Sequence, residues 1–227
     1  MTDAPIRVLL VDDHELIRAG NALVLESTGD LMVVGEAGTG EEAVARATEL
    51  APDIVLMDVR MPGMGGIEAT QRITSALPET RVIVLTTFHL DAYVFESLRA
   101  GASAFLLKTA TPTQLVDAIR TVAAGESVLD PRVTTRLIES WVAAEPKPAV
   151  AEQPSPAAVL SPREYEVFRA VVVGLTNSEI AAALFLSTAT VKTHVNRILA
   201  KLQARDRVQL VILGYEHGEL PPARHDV

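Results

Sequence analysis

The residues of this 227-residue chain best placed to do chemistry are carboxylates at the ends of apolar runs. Asp12 and Asp13 close the run "IRVLLV" (6–11). Asp58 closes "DIVLM" (53–57) and leads into the Gly- and Pro-rich "VRMPGMGG". A buried strand has no use for a carboxylate at its end. Several gathered together repel one another unless a cation neutralises them. A hard divalent ion such as Mg²⁺ takes oxygen ligands, usually one or two carboxylates, and keeps several waters. Two more polar residues end apolar runs: Thr86 after "RVIVL" and Lys108 after "SAFLL". An ammonium can pair with a phosphoryl oxygen. A carboxylate, a metal site, a hydroxyl and a lysine together describe phosphoryl transfer to aspartate.

These residues meet only if the runs are strands of one sheet. The runs at 6–11, 31–37, 53–57, 81–86 and 103–108 alternate with segments of helical periodicity at 14–28, 40–50, 66–76, 91–100 and 111–124. Three of the runs are apolar almost throughout, as strands covered on both faces are. Thr39 stands three residues before Glu42, and Thr111 three before Gln114 with Pro112 between them, which are helix-start spacings. Five strand–helix pairs predict an α/β fold with a five-stranded doubly wound parallel sheet, in the flavodoxin-like order 2-1-3-4-5. In that order the first and third strands are neighbours. Ligands bind beyond the carboxyl ends of such strands, so Asp12, Asp13 and Asp58 converge where a ligand would sit.

The pattern stops after Gly125. One short helix is expected over 129–141. "EPKPAVAEQPSPAA" (145–158) holds four prolines in fourteen residues and reads as a semi-extended linker without a core of its own. From Leu160 the chain reads as helices, each with a start signal: Ser161-Pro162 with Glu164, Thr176 with Glu179, Ser187, and Asp206. Two of these helices are joined by the short break "FLS", the skeleton of a helix-turn-helix domain.

Charge divides the chain at the same place. Residues 1–160 hold 12 Lys+Arg against 22 Asp+Glu, net −10, whereas 187–207 hold five basic residues and one acidic, net +4. An acidic body and a locally basic tail imply two modules with different partners. Cysteine is absent, which removes disulfides, zinc-thiolate sites and thiol nucleophiles. The first residues do not read as a signal peptide, and no stretch nears the ~18 apolar residues of a membrane span. A cytoplasmic location without membrane contact is expected.

On the basic helix, Val191, Val195, Ile198 and Leu202 fall within about 60° of one another and form the side to be buried. Thr193, Asn196, Arg197 and Ala200 lie opposite, with Lys192 at the margin. His194 lies nearer the core and reads as a packing residue. Basic residues on a lone helix would be an ordinary solvated face. As the second helix of a helix-turn-helix, its N-terminal half is expected in a major groove, with Lys and Arg on phosphates or guanine and Asn reading adenine.

The stretches "VLLVDDHELIRAG", "DIVLMDVRMPGMGG", "VIVLTTF" and "RAGASAFLLK" resemble the receiver domain of two-component response regulators. Residues 160–211, with "NSEIA" followed by "TVKTHV", look like a LuxR-type output domain. The whole chain is similar to the NarL/FixJ class. The resemblance implies a receiver over 1–125, a linker over 126–159, a DNA-binding domain over 160–218 and a tail over 219–227. It implies that Asp58 accepts a phosphoryl group from a sensor histidine kinase. It implies Mg²⁺ (or Mn²⁺) on Asp12 or Asp13, Asp58 and the backbone carbonyl of Arg60. Thr86 and Lys108 keep the roles given above, and Phe105 becomes an aromatic switch residue. Lys192, Thr193, Asn196 and Arg197 would face double-stranded promoter DNA. Gly65 and Thr109 depart from residues common at their positions, and neither touches the acceptor chemistry. Arg60 and Phe88, each two residues past a key group, are expected to tune phosphoryl lifetime by limiting water access.

Such a protein is a transcriptional regulator and not an enzyme in the usual sense, although it slowly hydrolyses its own acyl phosphate. Phosphorylation would draw Thr86 and Lys108 inward and let Phe105 fill the vacated space. The outcome is receiver dimerisation to a homodimer, release of the DNA-binding domain, or both. "LVILGY" suits either core packing or a dimer seam. Two other functions compete. Aspartate-nucleophile phosphatases also place an Asp after a parallel strand, but carry a second Asp where this chain has Arg60. A phosphorelay protein without a DNA role is opposed by the basic segment.

Overall fold

The computed structural model describes residues 4–86, 96–125 and 155–219. Contacts divide the chain into two units, Met1–Ser140 and Trp141–Val227. The first carries β1 (Ile6–Val11), α1 (Glu15–Glu26), β2 (Leu31–Ala37), α2 (Gly40–Leu50), β3 (Ile54–Asp58), α3 (Gly66–Ala76), β4 (Arg81–Thr86), β5 (Ala104–Leu107) and α4 (Pro112–Ala123). The five strands form one sheet in the order β2-β1-β3-β4-β5, with every pairing parallel. Expected order and fold class both hold. Central β3 is buried along its whole length, whereas edge β2 is mostly half-buried or exposed. The near-continuous apolar runs mark strands with neighbours on both sides and helices on both faces.

Alternate residues Val8, Leu10, Ile54, Leu56, Ile83 and Leu85 gather on one face with Leu25 of α1 and Leu115, Val116, Ile119 and Val122 of α4. Thr111 and Gln114 form the expected reciprocal cap, with Pro112 in the first turn. Thr39 makes half of its box. Its hydroxyl accepts the Glu42 N–H, but the Glu42 carboxylate takes the Gly38 N–H instead. The helix expected over 91–100 is seen at 96–99. Its start, Phe88 and the helix expected over 129–141 lie outside the described residues.

The second unit holds α5 (Pro156–Val159), α6 (Pro162–Val172), α7 (Asn177–Leu184), α8 (Thr188–Leu202) and α9 (Arg207–Glu216). The linker expectation needs one amendment. Residues 126–154 lie outside the described residues, but Pro156–Val159 form a helical turn with Pro156 buried, so this end of the segment does have a core. Proline in a first helical turn costs no hydrogen bond. The Ala-Ala-Val-Leu that follows is apolar. Val167, Phe168, Val171 and Val172 of α6 pack with Ile180 of α7, Val191, Val195 and Ile198 of α8, and Leu210 and Val211 of α9. The apolar run of α9 is therefore used largely inside its own unit.

Every expected cap is made: Ser161 with Glu164, Thr176 with Glu179, Ser187 on the Thr190 N–H, and Asp206 on the N–H groups of Val208 and Gln209. The break between α7 and α8 is Phe185-Leu186-Ser187, as expected, and α7 ends on Phe185 in the left-handed region.

Glu164 does more than close a cap. It is buried, and its Oε2 accepts the Ser161 N–H at 2.9 Å and pairs with Lys201 Nζ of α8 at 2.7 Å. The Lys201 ammonium, then the Ser161 groups, hold its carboxyl down at about 2. A depressed acid adds stability that is present above its unfolded value and lost as pH falls through the folded one. Thermal melting of wild type and Glu164→Gln should thus differ most above about pH 4.5 and converge towards about pH 2. A difference that stays constant over that range would contradict this role.

Candidate functional site

The register brings the candidate residues to one edge. Val11 pairs with Met57, so Asp12 lies beside Asp58 one step on. Asp58 pairs with Leu85, and Thr86 pairs with Leu107. Thr86 and Lys108 therefore follow at the same rim, where the Lys108 N–H donates to the Thr86 carbonyl at 2.7 Å. Asp12, Asp58 and Thr86 are all buried.

Lys108 joins them. Its Nζ lies 2.5 Å from Asp12 Oδ2 and 2.8 Å from Asp58 Oδ2, and its side chain is 8% exposed. Asp12 Oδ2 and the ammonium form a short, buried ion pair. Burial raises the Asp58 carboxyl above its ordinary value and Asp12 adds to the rise. The Lys108 ammonium opposes both. For Lys108 burial favours the neutral amine, but the two carboxylates outweigh it and the net displacement is upward. Lys108 thus lies between two carboxyl groups, and Asp58 is easier to protonate than an exposed acid would be.

Asp13 is exposed and reaches the rim from the β1–α1 loop. Potential ligand atoms of Asp12, Asp13 and His14 lie within 4.8 Å of one another. His14 Nδ1 is 2.7 Å from Asp13 Oδ1, and the His14 N–H donates to Asp12 Oδ1 at 2.9 Å. Asp58 is not part of that group, and its Oδ2 is paired with Lys108 at 2.8 Å. The Arg60 N–H reaches back to Asp58 Oδ1 at 3.4 Å, and the Arg60 side chain is exposed. Carboxylate oxygens of Asp12 and Asp13 this close together, with the Asp58 carboxylate on the neighbouring strand, are the donor chemistry that fits a hard divalent ion. Sequence reasoning passed over His14, although its position directly after the Asp pair was a usable signal.

The backbone of and around the loop after Asp58 is closely approached at two glycines. A Cβ on Gly66 would lie 1.8 Å from the Asp58 carbonyl oxygen, and one on Gly40 would lie 2.4 Å from the Met64 carbonyl oxygen. Glu41, at the start of α2, accepts the Met64 N–H at 3.0 Å. This clamp on the loop was not visible in the sequence, because it joins residues 23 apart. Phe105 is buried on β5 opposite Val84.

In the second unit, Val191, Val195 and Ile198 are buried, Leu202 is half-buried, and Lys192, Thr193, Asn196, Arg197 and Ala200 are exposed on the other side of α8. The expected division of faces holds, and His194 is half-buried as expected. Thr193 Oγ1 donates to the Ala189 carbonyl at 3.0 Å, which leaves its lone pairs outward. Lys201, equally basic in sequence, is committed to Glu164.

Comparison with known proteins agrees with this geometry. Residues 8–120 match the response regulator receiver domain family, and residues 158–213 match the luxR family of bacterial regulatory proteins. The chain is 43% identical to the uncharacterized transcriptional regulatory protein YxjL of Bacillus subtilis, covering 96% of this chain and 99% of that one. It is 40% identical to the response regulator VraR of Staphylococcus aureus, covering 94% and 98%. Among solved structures, the response regulator ChrA of a heme-sensing two-component system matches at 33% identity and a TM-score of 0.52, covering 96% of this chain and 100% of that one. A LuxR-family response regulator from Aurantimonas matches at 35% identity and a TM-score of 0.57, covering 61% and 99%.

Removing the ammonium should expose the strain between the acids. In Lys108→Met the Asp58 carboxyl should titrate higher than in wild type when followed by carboxyl-carbon NMR. A raised acid adds stability that is complete below its unfolded value and lost as pH rises through the folded one. The variant should therefore lose more stability than wild type between acid and neutral pH. An unchanged Asp58 titration would refute the pairing.

Proposed function

The chain belongs to the response regulators that join a receiver domain to a LuxR-type DNA-binding domain, and from that membership we propose that Asp58 is its phosphoacceptor. It is a transcriptional regulator. The phosphoryl donor is the phosphohistidine of a sensor kinase. A P–N bond breaks, and a P–O bond forms to an Asp58 carboxylate oxygen. The observation that carries this reading is the Lys108 ammonium bridging Asp12 and Asp58. It opposes the rise that burial gives this acid and so favours the ionised form a nucleophile needs, and it can turn to a phosphoryl oxygen once one is present.

Asp12, Asp13, Asp58 and the Arg60 carbonyl would hold Mg²⁺ or Mn²⁺, which would offset the charge of the incoming phosphoryl group. His14 flanks this set. Phosphorylation removes the acceptor that Asp58 offers Lys108 and adds a group of greater charge with three strong acceptor oxygens. Lys108 and Thr86 follow that group. Phe105, buried beside β4, takes the space that Thr86 gives up.

The exposed Lys192, Thr193, Asn196 and Arg197 read promoter DNA, with the cations on phosphates or guanine edges and Asn196 on adenine. Activation by homodimerisation of the receiver, by release of the DNA-binding domain, or by both fits this scheme. A twofold dimer would read half-sites about 10 bp apart or a multiple of that. Work on DNA places the protein in the cytoplasm. The phosphatase reading finds no support at Arg60, whose exposed side chain offers no acid beside Asp58.

Affinity for promoter DNA, measured across a salt series with and without acetyl phosphate, should rise on phosphorylation in wild type and stay fixed in Asp58→Asn. Arg197→Ala should lower the salt slope by about 1. Equal affinity of the phosphorylated and unphosphorylated wild type would overturn the switch. Arg60→Ala should shorten the acyl-phosphate half-life, and an unchanged or longer half-life would remove Arg60 from the control of water access.

A further inference from the structure

Asp12 is held at each of its polar positions. Its N–H donates to the Ala37 carbonyl at 3.2 Å, its Oδ1 accepts the His14 N–H at 2.9 Å, and its Oδ2 faces Lys108 Nζ at 2.5 Å. Its carbonyl accepts from Arg18 Nη1 at 2.6 Å. Three of these partners sit at strand ends or in the loop that the rim itself requires. Arg18 does not. It comes from α1, and its Nε donates to Glu36 Oε2 of β2 at 3.0 Å. One guanidinium thus ties the helix, the end of β1 and the edge strand together, with its side chain 17% exposed.

The tie falls at an edge of the sheet. β2 is an edge strand, and its register with β1 slips between Val8 and Leu9. Asp13 and His14 hang from the loop just beyond. A planar fork that donates in two fixed directions can brace such a loop, whereas a lysine ammonium on a flexible stem cannot reproduce both contacts.

We infer that Arg18 is a positioning residue for the cation-holding rim: by fixing the Asp12 carbonyl it keeps the carboxylates of Asp12 and Asp13 in place for a divalent ion. This rests on the reading of that rim as a Mg²⁺ site. The inference makes a prediction opposite to simple electrostatics. A fixed positive charge near the acidic rim should by itself weaken cation binding, so its removal should tighten it. If positioning dominates, removal weakens binding instead. Loss of groups that orient metal ligands typically costs about 10- to 100-fold in metal affinity.

The test is calorimetric titration of Mg²⁺ alone into the full chain as wild type, Arg18→Lys and Arg18→Met. Both variants should bind about tenfold more weakly or worse, with Arg18→Lys failing although it keeps the charge. Amide hydrogen exchange at Asp13 and His14 should quicken in both variants while exchange within β3 stays as in wild type. Arg18→Lys binding as wild type does, Arg18→Met binding as tightly or more tightly, or unchanged exchange at the two loop amides would each overturn the inference. A wild type that takes up no Mg²⁺ would overturn the reading of the rim and this inference with it, and that outcome is read before any variant is compared.

Discussion

Two carboxylates and one ammonium, each less than a tenth exposed, share the carboxyl edge of the sheet. Each charge would be costly there alone. Removing one partner from such a buried group typically costs about 3–5 kcal/mol, because the remainder is left uncompensated. The topology answers that constraint. Asp12 and Asp58 stand side by side only because β1 and β3 are neighbours, and Lys108 reaches them from β5 across the end of β4. An arrangement stable only while three charges balance is also easily biased by a fourth. A further charge at this rim would change that balance directly.

The loops that bear the charges are braced in different ways. On the Asp58 side, the backbone closes so tightly that Gly66 and Gly40 have no room for a Cβ. Glu41 pins the loop from α2. On the Asp12 side, Arg18 pins the loop from α1 and β2. Asp58 and Asp12 are therefore braced from separate helices. A change at one loop need not disturb the other except through Lys108, which touches both sides.

In the helical unit, two lysines on one helix have different fates. Lys201 packs its charge against a buried glutamate that also caps α6, and so joins the architecture. Lys192 lies on the exposed face with Asn196 and Arg197. Their composition is alike, and the turn of the helix separates them. Helical periodicity resolved that for Val191, Val195 and Ile198, because burial of apolar side chains follows the 3.6-residue repeat. It could not resolve it for Lys201, whose partner lies 37 residues away. Asp58, Thr86 and Lys108 were legible because each polar residue interrupts an apolar run at the place where a strand must end. The final turn of the linker was misjudged because proline counts suggest extension, whereas one proline in a first helical turn permits a helix and can be buried.

The order of apolar runs and helical stretches determined, without coordinates, that a parallel sheet would be wound on both faces and that a helix-turn-helix would follow. Those patterns are local: strand burial, caps and periodicity are written within a few residues of one another. Tertiary structure alone decided which charges share a partner. That Lys108 bridges Asp12 and Asp58, that Arg18 reaches both the Asp12 carbonyl and Glu36, and that the exposed Lys201 pairs with the buried Glu164 all depend on distances between segments remote in sequence. Electrostatic pairing is set by such separations of a few ångströms, and no local pattern of residues records them.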